Sequence, residues 1–221
     1  NSIKEAQRNW VGRSEGALVR FKTASGGNVE VFTTRPDTIY GVSFMVLAPE
    51  HELVSELTTE ENRTAVEEYI VAAGRKSERE RQGEKEVTGV ALGGSVLHPL
   101  TGEDIPGYIA EYVLAGYGTG AIMAVPAGDE RDWKFAKHFN IKIPAIFKGV
   151  DTDDAVCTEE GALLTDSGEL NGMCKKDAIP AALDLLEAEG HGERKVNYRL
   201  RDAVFSRQRY WGEPFPICYV D

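Results

Sequence analysis

The sequence predicts an α/β protein, with one β core of many short strands and three or four helices around it. Three observations carry that expectation. The apolar runs are short and punctuated by Gly, Pro and Thr, and a few segments space their apolar residues as helices do. Strand-like and helix-like segments also alternate too irregularly for a doubly wound sheet. With 221 residues, the chain can bury one substantial core, a single domain with short appendages.

Residues 1–14 are polar, lack a clear period and read as a lead-in linker. ALVRFKT and VEVFTT, separated by a Gly-Gly-Asn turn at 26–28, predict a hairpin. VSFMVLAP (42–49) is nearly continuously apolar, as expected of a strand buried on both faces, and Pro49-Glu50 is expected to open a helical stretch. In 61–77, Val66, Tyr69, Ile70 and Ala73 recur at helical spacing, with acids early and basic residues late to suit the helix dipole. The charge-dense SERERQGEKE (77–86) reads as a mobile surface segment. A second β-rich block spans 87–127 and ends in EYVLAGYGTGAIMAVPA. A short helix is expected from Asp129 as N-cap, with Trp133, Phe135, Ala136 and Phe139 on its apolar side and Asn140 at its end. IKIPAIF then reads as a strand. In 177–192, Asp177 is the candidate cap, Pro180 belongs to the first turn, Leu183, Leu185 and Leu186 point inward, and Gly190 ends the helix. The main domain is thus placed at 15–192, followed by a basic return segment, 193–221.

Composition excludes several classes. No apolar run is long enough to span a membrane, and NSIKEAQRNW lacks the apolar core of a signal peptide. A cytoplasmic protein is therefore expected. The three cysteines are scattered, and with no CxxC, no HExxH and four histidines a metal site is not expected. A net charge of −11 argues against a general nucleic-acid coat protein. Residues 191–210 nevertheless hold six Lys/Arg against two acids, either a solvated basic segment or a local phosphate-binding patch.

The chain contains neither the GxSxG of a nucleophile elbow nor the GxxxxGK[ST] of a phosphate loop. GYGTGA (116–121) is followed by a strand-like run, so its glycines read as turn residues. Two polar clusters remain: TTRPDT (33–38) and GDERD, in which Asp129 and Asp132 are three apart on one face of a helical turn. Plain readings exist for both, a turn and an N-terminal cap. Both clusters also follow apolar strands, where binding residues are often mounted. With Met123 and Val125 as an apolar floor, their hydroxyls, cation and carboxylates suit a ligand with an ammonium group and a small hydrophobic side chain.

TTRPDT, YGTGAIMAVP, DERDWKFA and GERKVNYRLRDAVFSRQRYWGEPFPI, in that order, resemble the editing domain inserted in bacterial-type leucyl-tRNA synthetases. The resemblance runs from NWVGRSEGA to SRQRYWG, and the related valyl and isoleucyl enzymes carry a similar threonine-rich peptide. It implies a β-barrel-like core and a post-transfer editing activity. Such a domain hydrolyses the ester of tRNA(Leu) mischarged with Ile, norvaline or Met and spares Leu. Binding alone separates aliphatic side chains by only about 1–3 kcal/mol, so a second, destructive sieve is the physical solution. By the resemblance, Asp132 holds the substrate α-ammonium, Thr38 blocks the γ-branched leucine, and Thr33 and Thr34 lie near the scissile ester. Arg35 lies beside the terminal nucleotide, and Tyr117, Met123, Val125 and Asp129 match pocket and adenosine-site positions. Arg194, Lys195, Arg199, Arg207 and Arg209 are candidate phosphate contacts, while Tyr210 and Trp211 are expected to pack on the parent synthetase. The implied partners are the 3′-aminoacylated end of tRNA(Leu) and the parent catalytic domain, with the chain a monomer. Editing needs no cofactor: ATP and Mg belong to a synthetic site whose HIGH and KMSKS signatures are missing here. The alternatives are an isoleucyl or valyl editing domain, or a tRNA-binding module without chemistry. One departure stands out: where many members read Gly-His-Asp, this chain reads Ala127-Gly128-Asp129. An obligatory general base at that histidine would leave this chain inactive; a histidine that only orients substrate would not.

Overall fold

The computed structural model describes residues 2–77, 80–81, 86–116, 118–152, 154–159 and 161–198. The chain divides into two compact units, of which Glu15–Asn197 is the larger. The described part of the smaller unit contains α1 (Ser2–Val11), a helix with no buried residue, where the sequence reading expected a linker. A short polar amphipathic stretch gives no burial signal by which to tell helix from coil.

The larger unit is built on a mixed sheet. Strands β1 (Arg13–Thr23) and β2 (Asn28–Thr33) form the expected antiparallel hairpin, with Ala17 opposite Thr33 and Lys22 opposite Asn28. Gly26, at φ +91, supplies the turn that a side chain would resist. The remaining strands are β3 (Phe44–Leu47), β4 (Val90–Leu97), β5 (Asp104–Ile109), β6 (Ala121–Ala124) and β7 (Gly192–Tyr198). The order is β2-β1-β4-β5-β3-β6, with β7 pairing β1 off this path. Strands β3 and β5 pair in parallel, while β1–β2, β1–β4, β4–β5 and β3–β6 are antiparallel. The two ends, β2 and β6, pack against each other without a ladder, so the sheet curls to a barrel-like shape but does not close.

Strand β3 is buried on both faces, as its apolar run requires. Met45 and Leu47 join the interior cluster with Val19, Phe21, Leu92 and Ile109. Phe44 and Val46 turn to a second cluster under α4 (Glu130–His138), where Phe135 stacks on Phe44 at 5.0 Å. Further helices of this unit include α2 (Val54–Leu57), α3 (Arg63–Ala73) and α5 (Lys175–Ala188). Helix α3 buries Val66 and Ala73 as its spacing predicts.

Four local expectations are corrected. Residues 49–53 form turns, and helix begins only at Val54. IKIPAIF is irregular apart from a bridge between Phe147 and Leu164; Pro144 removes a ladder donor in its middle. Helix α5 begins three residues earlier than expected, with Cys174 and not Asp177 at the N-cap position, which leaves Pro180 inside the helix and not in its first turn. Within 77–86, Arg81 is buried: its guanidinium donates to the carbonyls of Glu111 and Val113 and pairs with Glu50 at 2.6 Å.

Candidate functional site

The TTRPDT segment carries the chain from the end of β2 into a 3-10 helix, Pro36–Gly41. Proline at its first position fixes φ and surrenders an N–H that has no helical partner there. Thr33 Oγ1 accepts from Arg35 N at 3.0 Å, and Thr34 is exposed. Gly16 of β1 lies directly beneath this pair; a Cβ there would fall 2.0 Å from the Thr33 carbonyl oxygen. Asp37 is 1% exposed and grips the Arg35 guanidinium with both oxygens, Nε to Oδ1 at 2.9 Å and Nη2 to Oδ2 at 2.8 Å. Thr38 is buried and spends its hydroxyl on the Arg35 carbonyl at 3.0 Å.

His98, which the sequence reading missed, holds this segment from behind. Its Nδ1 accepts from Leu100 N and Thr101 N, so Nε2 carries the proton and donates to the carbonyl of Ile39, next to Thr38, at 2.9 Å. Burial pushes its pKa below the usual histidine value, and the ring is neutral.

The second cluster stands at the start of α4. Asp129 is exposed and caps the helix, its Oδ1 accepting from Arg131 N at 2.8 Å and Asp132 N at 3.1 Å. Asp132 is 7% exposed and turns inward, where Oδ2 accepts from Val125 N at 2.8 Å. Among the described residues it makes no ion pair. Burial, reinforced by the charge of Asp129, raises its pKa from 3.8 to about 7. Met123 and Val125 are buried on the interior face beside it. Tyr112 packs under the same helix, edge-on to Phe135 and with the Arg131 guanidinium 5.2 Å over its ring.

A cleft of about 310 Å³ opens beside Arg35 and Asp37 and is lined also by Gly128, Phe147, Cys157, Thr158, Glu159, Ala162, Leu164 and Lys175. It takes in Arg35 from the expected set but not Thr33, Thr34, Thr38, Met123, Val125 or Asp132. Its far wall, from 147 to 175, has no sequence periodicity that could have marked it. A Cβ at Gly128 would meet only the Phe147 ring, at 3.4 Å, so a side chain has room there.

Of the basic candidates, Arg194 pairs with Asp184 and Glu187 of α5, which commits its guanidinium to carboxylates. Lys195 is exposed on β7. Tyr117, Arg199, Arg207, Arg209, Tyr210 and Trp211 lie outside the described residues. No cluster of metal-ligating side chains occurs among those described, and none of their helices is long and apolar enough to cross a membrane.

The fold is thus a curled mixed sheet with a buried carboxylate, in no ion pair among the described residues, near one strand end and a threonine-rich turn at another. Residues 8–187 match the family described as "Leucyl-tRNA synthetase, editing domain". The leucine–tRNA ligases of Christiangramia forsetii and Flavobacterium johnsoniae are 53% and 54% identical to the chain over its whole length. The chain covers 23% and 24% of those proteins, about a quarter of their length. A crystal structure of the Agrobacterium radiobacter K84 LeuRS, in a ternary complex with tRNA and LeuAMS, superposes with a TM-score of 0.73 at 34% identity. That match covers 97% of this chain and 24% of the other. The chain belongs to the leucyl-tRNA synthetase editing domain family. The isoleucyl and valyl alternatives are set aside by these relatives.

Proposed function

We propose that this chain edits after transfer, hydrolysing the ester of tRNA(Leu) that carries Ile, norvaline or Met while sparing Leu, as part of a leucyl-tRNA synthetase. The observation that carries this reading is Asp132, a carboxylate buried beside an apolar floor that accepts from one backbone N–H and makes no ion pair among the described residues. A ligand ammonium supplies the missing charge in a charge-assisted hydrogen bond. Met123 and Val125 receive the aliphatic side chain. Thr38 is held by its hydrogen bond to Arg35 O and by His98 behind the same turn, and so acts as a rigid stop against γ-branching.

Thr33 and Thr34 then lie toward the ester and the attacking water. Catalysis comes from orienting that water and from hydrogen bonds to the developing oxyanion, with no covalent enzyme intermediate and no metal or cofactor. Arg35, fixed by Asp37, sits beside the terminal adenosine. Lys195 serves as a phosphate contact and Arg194 braces β7 against α5. The partners are the aminoacylated 3′ end and the parent catalytic domain, and the chain acts as a monomer in the cytoplasm.

The test is deacylation of Ile-tRNA(Leu) and Leu-tRNA(Leu) by this chain and its Thr38→Ala variant. The parent should cleave the first only, and the variant both. An intact Ile ester with the parent chain would leave a binding module without chemistry. A variant that still spares Leu-tRNA would remove Thr38 as the gate.

A further inference from the structure

The cleft beside the Arg35–Asp37 pair measures about 310 Å³, at the lower end of the roughly 300–1,000 Å³ of small-ligand pockets. Thr38, Met123, Val125 and Asp132, read as holding the amino acid, do not line it. Its walls are tied together by backbone. Cys157 N donates to Ala127 O at 2.9 Å, Phe147 bridges Leu164, and Leu164 N donates to Met173 O at 2.9 Å. Leu164 thus stands between Phe147 and the chain leading into Lys175, the first residue of α5.

Gly128, in the same lining, is a glycine that neither the backbone nor close packing demands. Its φ lies outside the left-handed region, and a Cβ there would meet only the Phe147 ring, at an ordinary contact distance of 3.4 Å. What a side chain at 128 would do is occupy the cleft against Phe147.

Two cations line the cleft. Arg35 commits Nε and Nη2 to Asp37, whose two oxygens are both taken, and keeps Nη1 without a partner among the described residues. Lys175 is half-buried and makes no ion pair among them. Glu159 and Thr158 are exposed at the same cleft. A simple anion would use the cations but be opposed by Glu159, and a simple amine would be opposed by Arg35 and Lys175. A nucleotide uses the whole lining. Its phosphate accepts from guanidinium and ammonium, its ribose hydroxyls or base amino group donate to Glu159 and Thr158, and its ring fills the space beside Phe147.

We infer that this cleft is a second ligand site, for a nucleoside 5′-phosphate, with Arg35 and Lys175 on the phosphate and the nucleoside against Phe147 where Gly128 leaves room. Two sources offer that chemistry: a free mononucleotide, or the nucleotide that precedes the terminal adenosine of an acceptor strand. The second source rests on the proposed editing function; the first does not.

The experiment titrates this chain with cytidine 5′-monophosphate, cytidine and the single-stranded RNA trimer CCA, the sequence in which tRNA strands end, followed by NMR. The monophosphate should shift the amides of Gly128, Phe147 and Lys175. Lys175→Met should weaken it about tenfold, the loss of one charge-assisted hydrogen bond, and leave cytidine unchanged. Gly128→Leu should weaken both by about tenfold or more, because its side chain takes the nucleoside's place. Both variants should keep the parent's Tm, since Lys175 has no ion pair to lose among the described residues and the backbone at 128 accepts a side chain. Binding that neither variant alters, or no binding of either phosphorylated probe, overturns the proposal. CCA binding at least about tenfold tighter than the monophosphate, and weakened as much by Lys175→Met, assigns the cleft to the strand; equal affinities assign it to a free nucleotide. Deacylation of Ile-tRNA(Leu) by the parent chain keeps the two readings apart. Cleavage without nucleotide binding removes the cleft alone, and nucleotide binding without cleavage removes editing and leaves the cleft.

Discussion

Asp132→Asn probes the central feature of the site. Asparagine keeps the shape of the side chain and an oxygen for the Val125 N–H at 2.8 Å, but it cannot ionise. Burial pushes the carboxyl in the folded chain up from an ordinary 3.8 to about 7. At about 1.4 kcal/mol per unit, holding it ionised without a cation costs about 4 kcal/mol. The sign follows from the direction of the shift. A folded pKa above the unfolded one gives stability that is complete below pH 3.8 and is lost as the pH rises through about 7. At pH 8 the ligand-free chain carries the whole cost, and the amide variant carries none. Urea unfolding at pH 8 should therefore find Asp132→Asn more stable by about 2–4 kcal/mol, the lower figure allowing for relaxation and water entry around the ion. Toward pH 4 the difference should shrink to near zero, while deacylation is lost at every pH. A parent and variant with the same pH slope of stability between pH 4 and 8 would refute the argument. So would a variant less stable throughout.

The remaining predictions concern the supports of the site. His98→Ala should lower stability by about 2–3 kcal/mol above pH 6.5, since it orphans Ile39 O, Leu100 N and Thr101 N. Because the folded pKa of His98 is depressed, the parent loses that stability as the pH falls below 6.5, and the gap between parent and variant should narrow there; a constant gap would show that the ring does not titrate this way. Arg81→Met should cost about 2–4 kcal/mol in urea unfolding by stripping donors from the carbonyls of Glu111 and Val113 and the partner from Glu50; a loss below about 1 kcal/mol would mean that the buried guanidinium is not structural. Thr38→Ala should leave Ile-tRNA cleavage intact and open Leu-tRNA to hydrolysis, read by release of labelled leucine.

Much of the fold was legible because its signals are local. A Gly-Gly-Asn turn between two β-rich runs specifies a hairpin, a continuous apolar run specifies a doubly buried strand, and Asp129 before GluArgAsp specifies a cap. These follow from dihedral preferences and side-chain period, which act within a few residues. The failures were also local in origin. The chain beyond Phe139 has strand-like composition, but Pro144 removes a ladder donor there and residues 141–146 stay irregular. Helix α1 buries nothing, so apolar periodicity could not announce it.

The sequence by itself determined the family, through ordered motifs, and the chemical inventory of the site: three threonines, an Arg–Pro–Asp turn and a pair of aspartates. Only the tertiary structure divided the labour within that inventory. It made Asp37 the buried partner of Arg35, and it turned Asp132 into the interior with no ion pair among the described residues. It also brought His98 behind Ile39 and Arg81 under the 111–113 turn, across about 60 and 30 residues of chain. A carboxylate's pKa and a cleft's lining depend on which surfaces meet, and contacts between distant segments exist only once the sheet has curled.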